Sequence, residues 1–348
     1  MLVSLVIAIL CVLAVAALFF SPTPRAPKPP KVGVSVDVME GHFNTLVANE
    51  TPPALSVVAM KNGILAYSKA FGLADGPPDR PTTVDDVYHF WSLTKLFTAT
   101  AVMQLVEDGK VGLDDPATKY LPGFQTFLGA DQISEITVRQ LLNHTSELKN
   151  LRPVDLIGWI HRHDQPPVNQ VALINDRMHF YRRLANQPGK ASAYSNVGYI
   201  LLGAIIEVAS GSAFEDFVRR RILGPLQMSN TDFVYRDDNR QRAVSGSHPL
   251  FHYFTPLLLL IHHDWFSYWV SAVQKSRIWL VMFHTDYTGP TGLIGTGPDL
   301  ARFGQAFLNG GELDGQRILN AESVAAMLNT GFGENTGPDG ERMGLGWH

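Results

Sequence analysis

Residues 2–20 are a run of nineteen positions without a charge, and the pattern changes character after it. That length is close to what a helix needs to cross a bilayer, so a membrane anchor is expected over residues 1–21. A cleaved signal peptide is the competing reading, because "AVA" at 14–16 offers a cleavage site. The length of the run and the lack of a basic residue before it favour the anchor. Five prolines among residues 21–31 favour an extended polyproline spacer, so residues 22–34 are expected to be a linker and residues 35–348 the folded domain.

Inside the domain, residues 36–48 read as a short helix. "ALSVVAMKNGILAYSKAFG" sets two β-prone runs around Lys61-Asn62-Gly63, and Asn-Gly supplies the positive backbone angles of a hairpin turn. From about 92 to 108 the residues Leu96, Ala99, Met103 and Val106 recur at helical spacing, with Gly109 as the stop, so a helix is expected to begin at Ser92. "TVRQLLNHTS" and "NVGYILLGAIIEVASGSAFEDFVRRRIL" carry further helical periodicity, and a weaker β signal returns at 277–283. The order predicts an α/β (α+β) fold in which an antiparallel sheet flanked by helices carries a mainly helical insertion. Residues 250–283 are rich in aromatics. Ordinary core packing is the first reading there; the second places Trp265, Trp269, Trp279 and Phe283 on one helix face, suiting a membrane interface or an apolar substrate channel.

Composition narrows the chemistry. The net charge of −4 and the absence of a long Lys/Arg run exclude a polyanion footprint, so no nucleic-acid partner is expected. Cys11 is the only cysteine and lies in the apolar run, which leaves Ser, Thr, Lys or a carboxylate for covalent chemistry. No G-x-S-x-G and no H-E-x-x-H occurs. His161, His163 and Asp164, like His262, His263 and Asp264, read as solvated loop residues, so neither metal nor cofactor is expected.

Two S-x-x-K matches remain, Ser92 to Lys95 and Ser146 to Lys149. The motif is cheap, and context chooses. Ser92 heads a long periodic helix, which brings Lys95 onto nearly the same face one turn later, whereas Ser146 follows "NHT" and precedes a loop with Pro153. A serine hydroxyl needs a base, and a lysine serves only when burial or positive neighbours lower its pKa. A further polar group sharing the proton is therefore expected. "AYSNVGY" offers Tyr194, with Asn196 two positions on.

Taken in order, "SLTK", "LLNHTS", "PGKASAYSNVGYILLGAIIE", "ILGPLQM" and "TGLIGTGPDLARF" resemble the serine β-lactamase and penicillin-binding-protein superfamily, most of all its class C β-lactamase-related branch with its esterases and D-amino-acid peptidases. The resemblance runs from about residue 38 to the C-terminus. It implies that Ser92 is the acylated nucleophile, Lys95 its hydrogen-bonded base partner, Tyr194 a base or proton relay, and Asn196 the residue orienting the substrate carbonyl and the lysine. Ser146 becomes structural. The implied partner is a small-molecule or peptide acyl substrate, with the membrane contacted through the N-terminal segment and no partner protein. The implied location is a membrane-anchored domain outside the cytoplasm, periplasmic or at the cell surface, or a cleaved secreted form. Arg25, Lys28 and Lys31 count against that orientation by the positive-inside rule, with only three charges. β-Lactam, D-amino-acid peptide and ester all remain open as substrates, and the apolar segment tilts the choice toward an acyl ester or a lipid-like substrate.

Two features depart from the pattern. Glu147 stands where glycine usually follows "HTS", and a positive backbone angle there would be strained. A Lys-or-His, any residue, Gly motif is expected shortly beyond "GLGW", but the sequence given ends at His348. The expectation is a C-terminally incomplete reading frame; the alternative is a catalytically impaired, membrane-anchored sensor or scaffold. Genomic sequence past His348 should reach that motif within roughly 30 residues, followed by a further strand and a closing helix. A stop codon directly after His348 contradicts the expectation.

Overall fold

The computed structural model describes residues 26–31, 33, 35–75, 79–129, 132–163, 165, 168–249, 268–274, 277–329 and 343–347. The expected anchor with Cys11, much of the linker, Asp164, the run of His262, His263 and Asp264, and Trp265 lie outside these residues. Among the described residues no single helix is long and apolar enough to cross a membrane. The chain divides into two units: residues 1–59, 65–86 and 242–282, and residues 60–64, 87–241 and 283–348.

In the first unit, helix α1 spans Val36–Ala48, and strands β1 (Ala54–Lys61), β2 (Ile64–Asp75) and β3 (Arg80–Pro81) form one sheet in that order. The hairpin turns at Asn62 and Gly63, with φ of 52° and 77°, as the Asn-Gly pair requires. The ring of Phe43 packs 5.3 Å from Phe71, and Glu40 takes hydrogen bonds from Tyr67 and Lys69, which ties α1 to β2. Arg80 donates to Asp75 and to the fully buried Asp86. A second antiparallel sheet is built from Ser247–Pro249, Val270–Gln274 and Arg277–Leu280. The second reading, with Trp269, Trp279 and Phe283 on one helix face, is therefore overturned, and Trp279 and Phe283 are buried as core packing requires. Val270–Gln274 and Arg277–Leu280 pair as antiparallel strands, and Trp279 is buried in the second of them.

The second unit begins with β4 (Tyr88–His89), followed by a 3₁₀ turn at Trp91–Leu93 and helix α2 (Thr94–Glu107). Helix α2 starts two residues later than the periodicity indicated, and Ser92 stands in the turn before it. Nearly every residue of α2 from Thr94 to Leu105 is buried, which is why its pattern is apolar on all sides rather than on one stripe. Helix α3 (Val138–Leu142) is short and opens with a capping box: Thr137 Oγ accepts from the Gln140 N–H, and Gln140 returns the bond. Strand β5 (Ile160–Arg162) follows, and then α4 (Asn196–Ser210). Helix α4 is capped by Ser195, buried along most of its length, and ended by Gly211 at φ 71°.

Strand β6 (Phe283–Thr285) pairs antiparallel with β5, placing His284 opposite His161. A short turn of helix, α5 (Thr288–Thr291), leads into β7 (Ile294–Gly295), which pairs with β4. Helix α6 (Gly297–Leu308) then packs inward through Phe303, whose ring stacks on Phe97 at 4.0 Å. The fold is the expected mixture of antiparallel sheets and helices. The core of this unit is the contact of α2 and α4, with α5 laid against both.

Gly289 makes the close approach of α5 to α4 possible, since a Cβ there would lie 2.5 Å from the Tyr199 carbonyl oxygen. Gly289→Ala is therefore expected to cost about 1–3 kcal/mol in thermal denaturation. Gly304→Ala, in open space within α6, is expected to stabilise by up to about 1 kcal/mol. Equal effects at the two positions would contradict the packing described.

Candidate active site

The 3₁₀ turn and α2 present Ser92 and Lys95 one turn apart, and α4 begins beside them with Tyr194 and Asn196 at its entry. Ser92 Oγ lies 2.6 Å from the Tyr194 hydroxyl. Lys95 Nζ lies 3.2 Å from Ser92 Oγ, 2.8 Å from Asn196 Oδ1 and 3.1 Å from the carbonyl oxygen of Pro290. All four residues singled out from the sequence therefore share one hydrogen-bonded cluster. The second S-x-x-K pair is not assembled in this way: Ser146 is buried while Lys149 is exposed.

The electrostatics follow from burial. Lys95 is 2% exposed, and desolvation lowers its pKa to about 7. The faces of Tyr194 and Tyr199, at 4.8 and 5.5 Å, favour the ammonium form, but cation–π contacts of roughly 0.5–2 kcal/mol are smaller than the burial penalty. The three neighbours of Nζ are two carbonyl oxygens and one hydroxyl. As an ammonium, Nζ donates to all three; as a neutral amine it keeps two N–H donors for the carbonyls and turns its lone pair to the Ser92 hydroxyl. Burial also raises the pKa of Tyr194, opposed in part by its bond to Ser92, so the phenol stays protonated and donates. The arrangement suits transfer of the Ser92 proton to Lys95.

Several residues that the sequence did not single out hold this cluster. His144, at φ 59°, brackets Tyr194: its carbonyl accepts from Ala193 N–H at 2.8 Å and its Nδ1 from Ser195 N–H at 3.2 Å. Its ring packs 4.7 Å from that of Tyr194. Asn150 Oδ1 accepts from the Asn196 N–H, and the Tyr199 hydroxyl donates to Leu142 O. Thr98 donates to Gly289 O at 2.6 Å, and Thr94 Oγ1 accepts from Leu293 N–H, which pins the Pro290 carbonyl over Lys95. Helical spacing had a signal for none of these, although His144 lies within the quoted "LLNHTS". Glu147 does adopt a positive φ of 61°; it is buried, and its carboxylate accepts from Asn186.

The histidine readings need correction. His161 is buried on β5 rather than solvated on a loop, with Nδ1 2.7 Å from Asp286, because β5 pairs inward with β6. Among the described residues no group of three or more His, Cys, Asp or Glu side chains is arranged to hold a metal ion. A cavity of about 340 Å³ opens beside Ser92, lined by Phe90, Leu93, Leu96, Gly346 and Trp347.

Residues 39–348 match the profile of the family named Beta-lactamase. The chain belongs to the beta-lactamase family. One relative is penicillin-binding protein 4* of Bacillus subtilis (strain 168), 34% identical over 182 residues that make up 51% of this chain and 37% of that protein. Among solved structures, the octameric penicillin-binding protein homologue from Pyrococcus abyssi matches with a TM-score of 0.70 at 25% identity, covering 90% of this chain and 64% of that one. EstCE1, a hydrolase with promiscuous acyltransferase activity, matches with 0.64 at 19% identity, covering 88% and 80%, and so shares the fold. The beta-lactamase-family chain described here spans well under half the length of the curated relatives it matches.

The buried amine sets a stability prediction. In the folded state Lys95 has its pKa lowered to about 7, below its unfolded value, so it destabilises fully at low pH and progressively less as pH rises from 7 toward 10.5. Lys95→Met should therefore melt above wild type at pH 6, with the gap closing as pH rises through that window. A variant that melts well below wild type at pH 6 would contradict the buried, disfavoured ammonium.

Proposed function

We propose that this chain is a serine hydrolase that forms an acyl-enzyme on Ser92 and takes esters with an apolar acyl group. The observation that carries the reading is the buried Lys95 amine, held by two carbonyl acceptors 3.2 Å from Ser92 Oγ, so that its neutral form turns a lone pair to that hydroxyl. Attack forms the bond from Ser92 Oγ to the ester carbonyl carbon while the hydroxyl proton passes to Lys95 Nζ. The C–O bond then breaks, and the departing alkoxide takes a proton through the Tyr194 hydroxyl, which Lys95 replenishes. Water repeats the steps on the acyl-enzyme: its proton goes to Lys95, and Ser92 leaves with one.

The Ser92 N–H at the start of the 3₁₀ turn is the oxyanion donor in this reading, at the positive end of the segment running into α2. The substrate preference rests on the cavity beside Ser92, in which Phe90, Leu93, Leu96 and Trp347 present apolar side chains. Among the described residues a charged peptide terminus would find no charged partner in that lining, whereas an alkyl or aryl acyl group loses water on both surfaces. The anchor over residues 1–21 and a location outside the cytoplasm belong to the same proposal.

A fluorophosphonate probe on the full natural reading frame should label Ser92, and Ser92→Ala should abolish labelling. Lys95→Ala or Tyr194→Phe should slow acylation on the order of 10² to 10⁴-fold. Rates on p-nitrophenyl esters should rise from acetate to hexanoate. Labelling that survives Ser92→Ala, or appears at Ser146, contradicts the assignment. Labelling at Ser92 with no turnover would instead favour a ligand sensor that keeps the acylation chemistry.

A further inference from the structure

Trp91 immediately precedes the nucleophile and holds a left-handed backbone, φ 46°, where a bulky side chain is a conformational outlier. The turn needs that angle to bring Ser92 round into the cluster, and glycine would adopt it without strain. A large aromatic side chain is kept there all the same. Its surroundings indicate what it does. The indole is 46% exposed, which is high for tryptophan, and rests against a wall formed by His89 at 5.3 Å and Phe283 at 5.9 Å between ring centroids.

That wall is rigid. The rings of His89 and Phe283 stack on each other at 4.7 Å, and His89 Nε2 is held 3.1 Å from the Tyr235 hydroxyl. β4 and β6, which carry the two residues, are each paired in a sheet. An indole backed on one side by packed rings and open on the other is a fixed platform, with little rotamer freedom left to lose on binding. On the other flank of Ser92, Leu93 is also exposed and leads into the apolar cavity. An acyl transfer places one substituent on each side of the scissile carbonyl. Trp91 and Leu93 carry exposed apolar side chains immediately before and after the serine that would attack it.

We propose that Trp91 is a substrate-recognition residue that stacks a flat aromatic substituent of the substrate beside Ser92, so that aryl esters are preferred to alkyl esters of the same size. This rests on the ester-hydrolase reading above and adds to it the class of substrate. A backbone angle that costs stability beside a reacting group is the kind of strain that function retains.

The test uses the full natural reading frame and two substrate pairs, p-nitrophenyl phenylacetate against p-nitrophenyl hexanoate, and benzyl acetate against hexyl acetate. The first pair varies the acyl side and the second the alcohol side. Trp91→Gly should lower the aryl-to-alkyl ratio of kcat/KM roughly tenfold in at least one pair, as loss of one aromatic stacking partner implies, while Trp91→Phe keeps most of it. The melting temperature of Trp91→Gly should be no lower than wild type, because glycine relieves the left-handed backbone. In the Ser92→Ala background, isothermal titration with benzyl acetate should show the same loss of affinity on adding Trp91→Gly, and this arm reads out even if the enzyme reading fails. Ratios and affinities unchanged within twofold in every arm overturn the proposal, as does an equal loss in Trp91→Phe and Trp91→Gly.

Discussion

A lysine amine sealed from water is the constraint around which this site is organised. At 2% exposure, Lys95 cannot hold its charge cheaply, and its three hydrogen-bonding neighbours accommodate the neutral amine, with a lone pair toward Ser92, as well as the ammonium. Three helices of the second unit bear on that arrangement. α2 supplies the burial, α4 starts where Asn196 meets Nζ, and α5 brings in a backbone carbonyl through a contact that Gly289 alone permits. A surface lysine three residues after a serine would have none of this. Lys149 is that case within the same chain.

The same unit concentrates backbone strain around the cluster. Trp91, His144 and Glu147 all have positive φ, and for residues with a β-carbon this costs on the order of 1–2 kcal/mol each. Each is held by compensating contacts. Trp91 leans on stacked rings, His144 clamps the amides on both sides of Tyr194, and the Glu147 carbonyl accepts from Ala185 N–H. The buried core of α2 and α4 is large enough to carry such local costs. The loops at the site, rather than the helices, are where sequence and preferred local structure disagree.

That division explains what was legible in the sequence. The helix at 36–48 and the Asn-Gly hairpin follow from periodicity and turn chemistry, which are local. Ser92, Lys95, Tyr194 and Asn196 could be named because side-chain chemistry at fixed spacing, together with a family resemblance, singles them out. The Pro290 carbonyl could not, since a backbone acceptor has no signature in residue type. Nor could the late start of α2, because the 3₁₀ turn carries the same apolar pattern as the helix after it. The β signal at 277–283 was legible and reappears in the strands at 277–280 and 283–285, whereas the strand at 270–274 was obscured by the aromatic richness of the segment around it, which suits a helix face and a strand equally. His161 looked solvated because a histidine-rich string reads as polar until its strand partner is known.

Proton transfer from Ser92 depends on the ionisation of one side chain, which can be measured on its own. With lysine labelled by ¹³C and ¹⁵N, the Lys95 signal can be assigned by its loss in Lys95→Met and followed by NMR from about pH 5 to pH 11. A midpoint near the value of about 7 that burial imposes is expected. A midpoint near the ordinary lysine value of about 10.4 would mean that the amine stays charged beside Ser92 at neutral pH, leaving it no lone pair with which to take the proton.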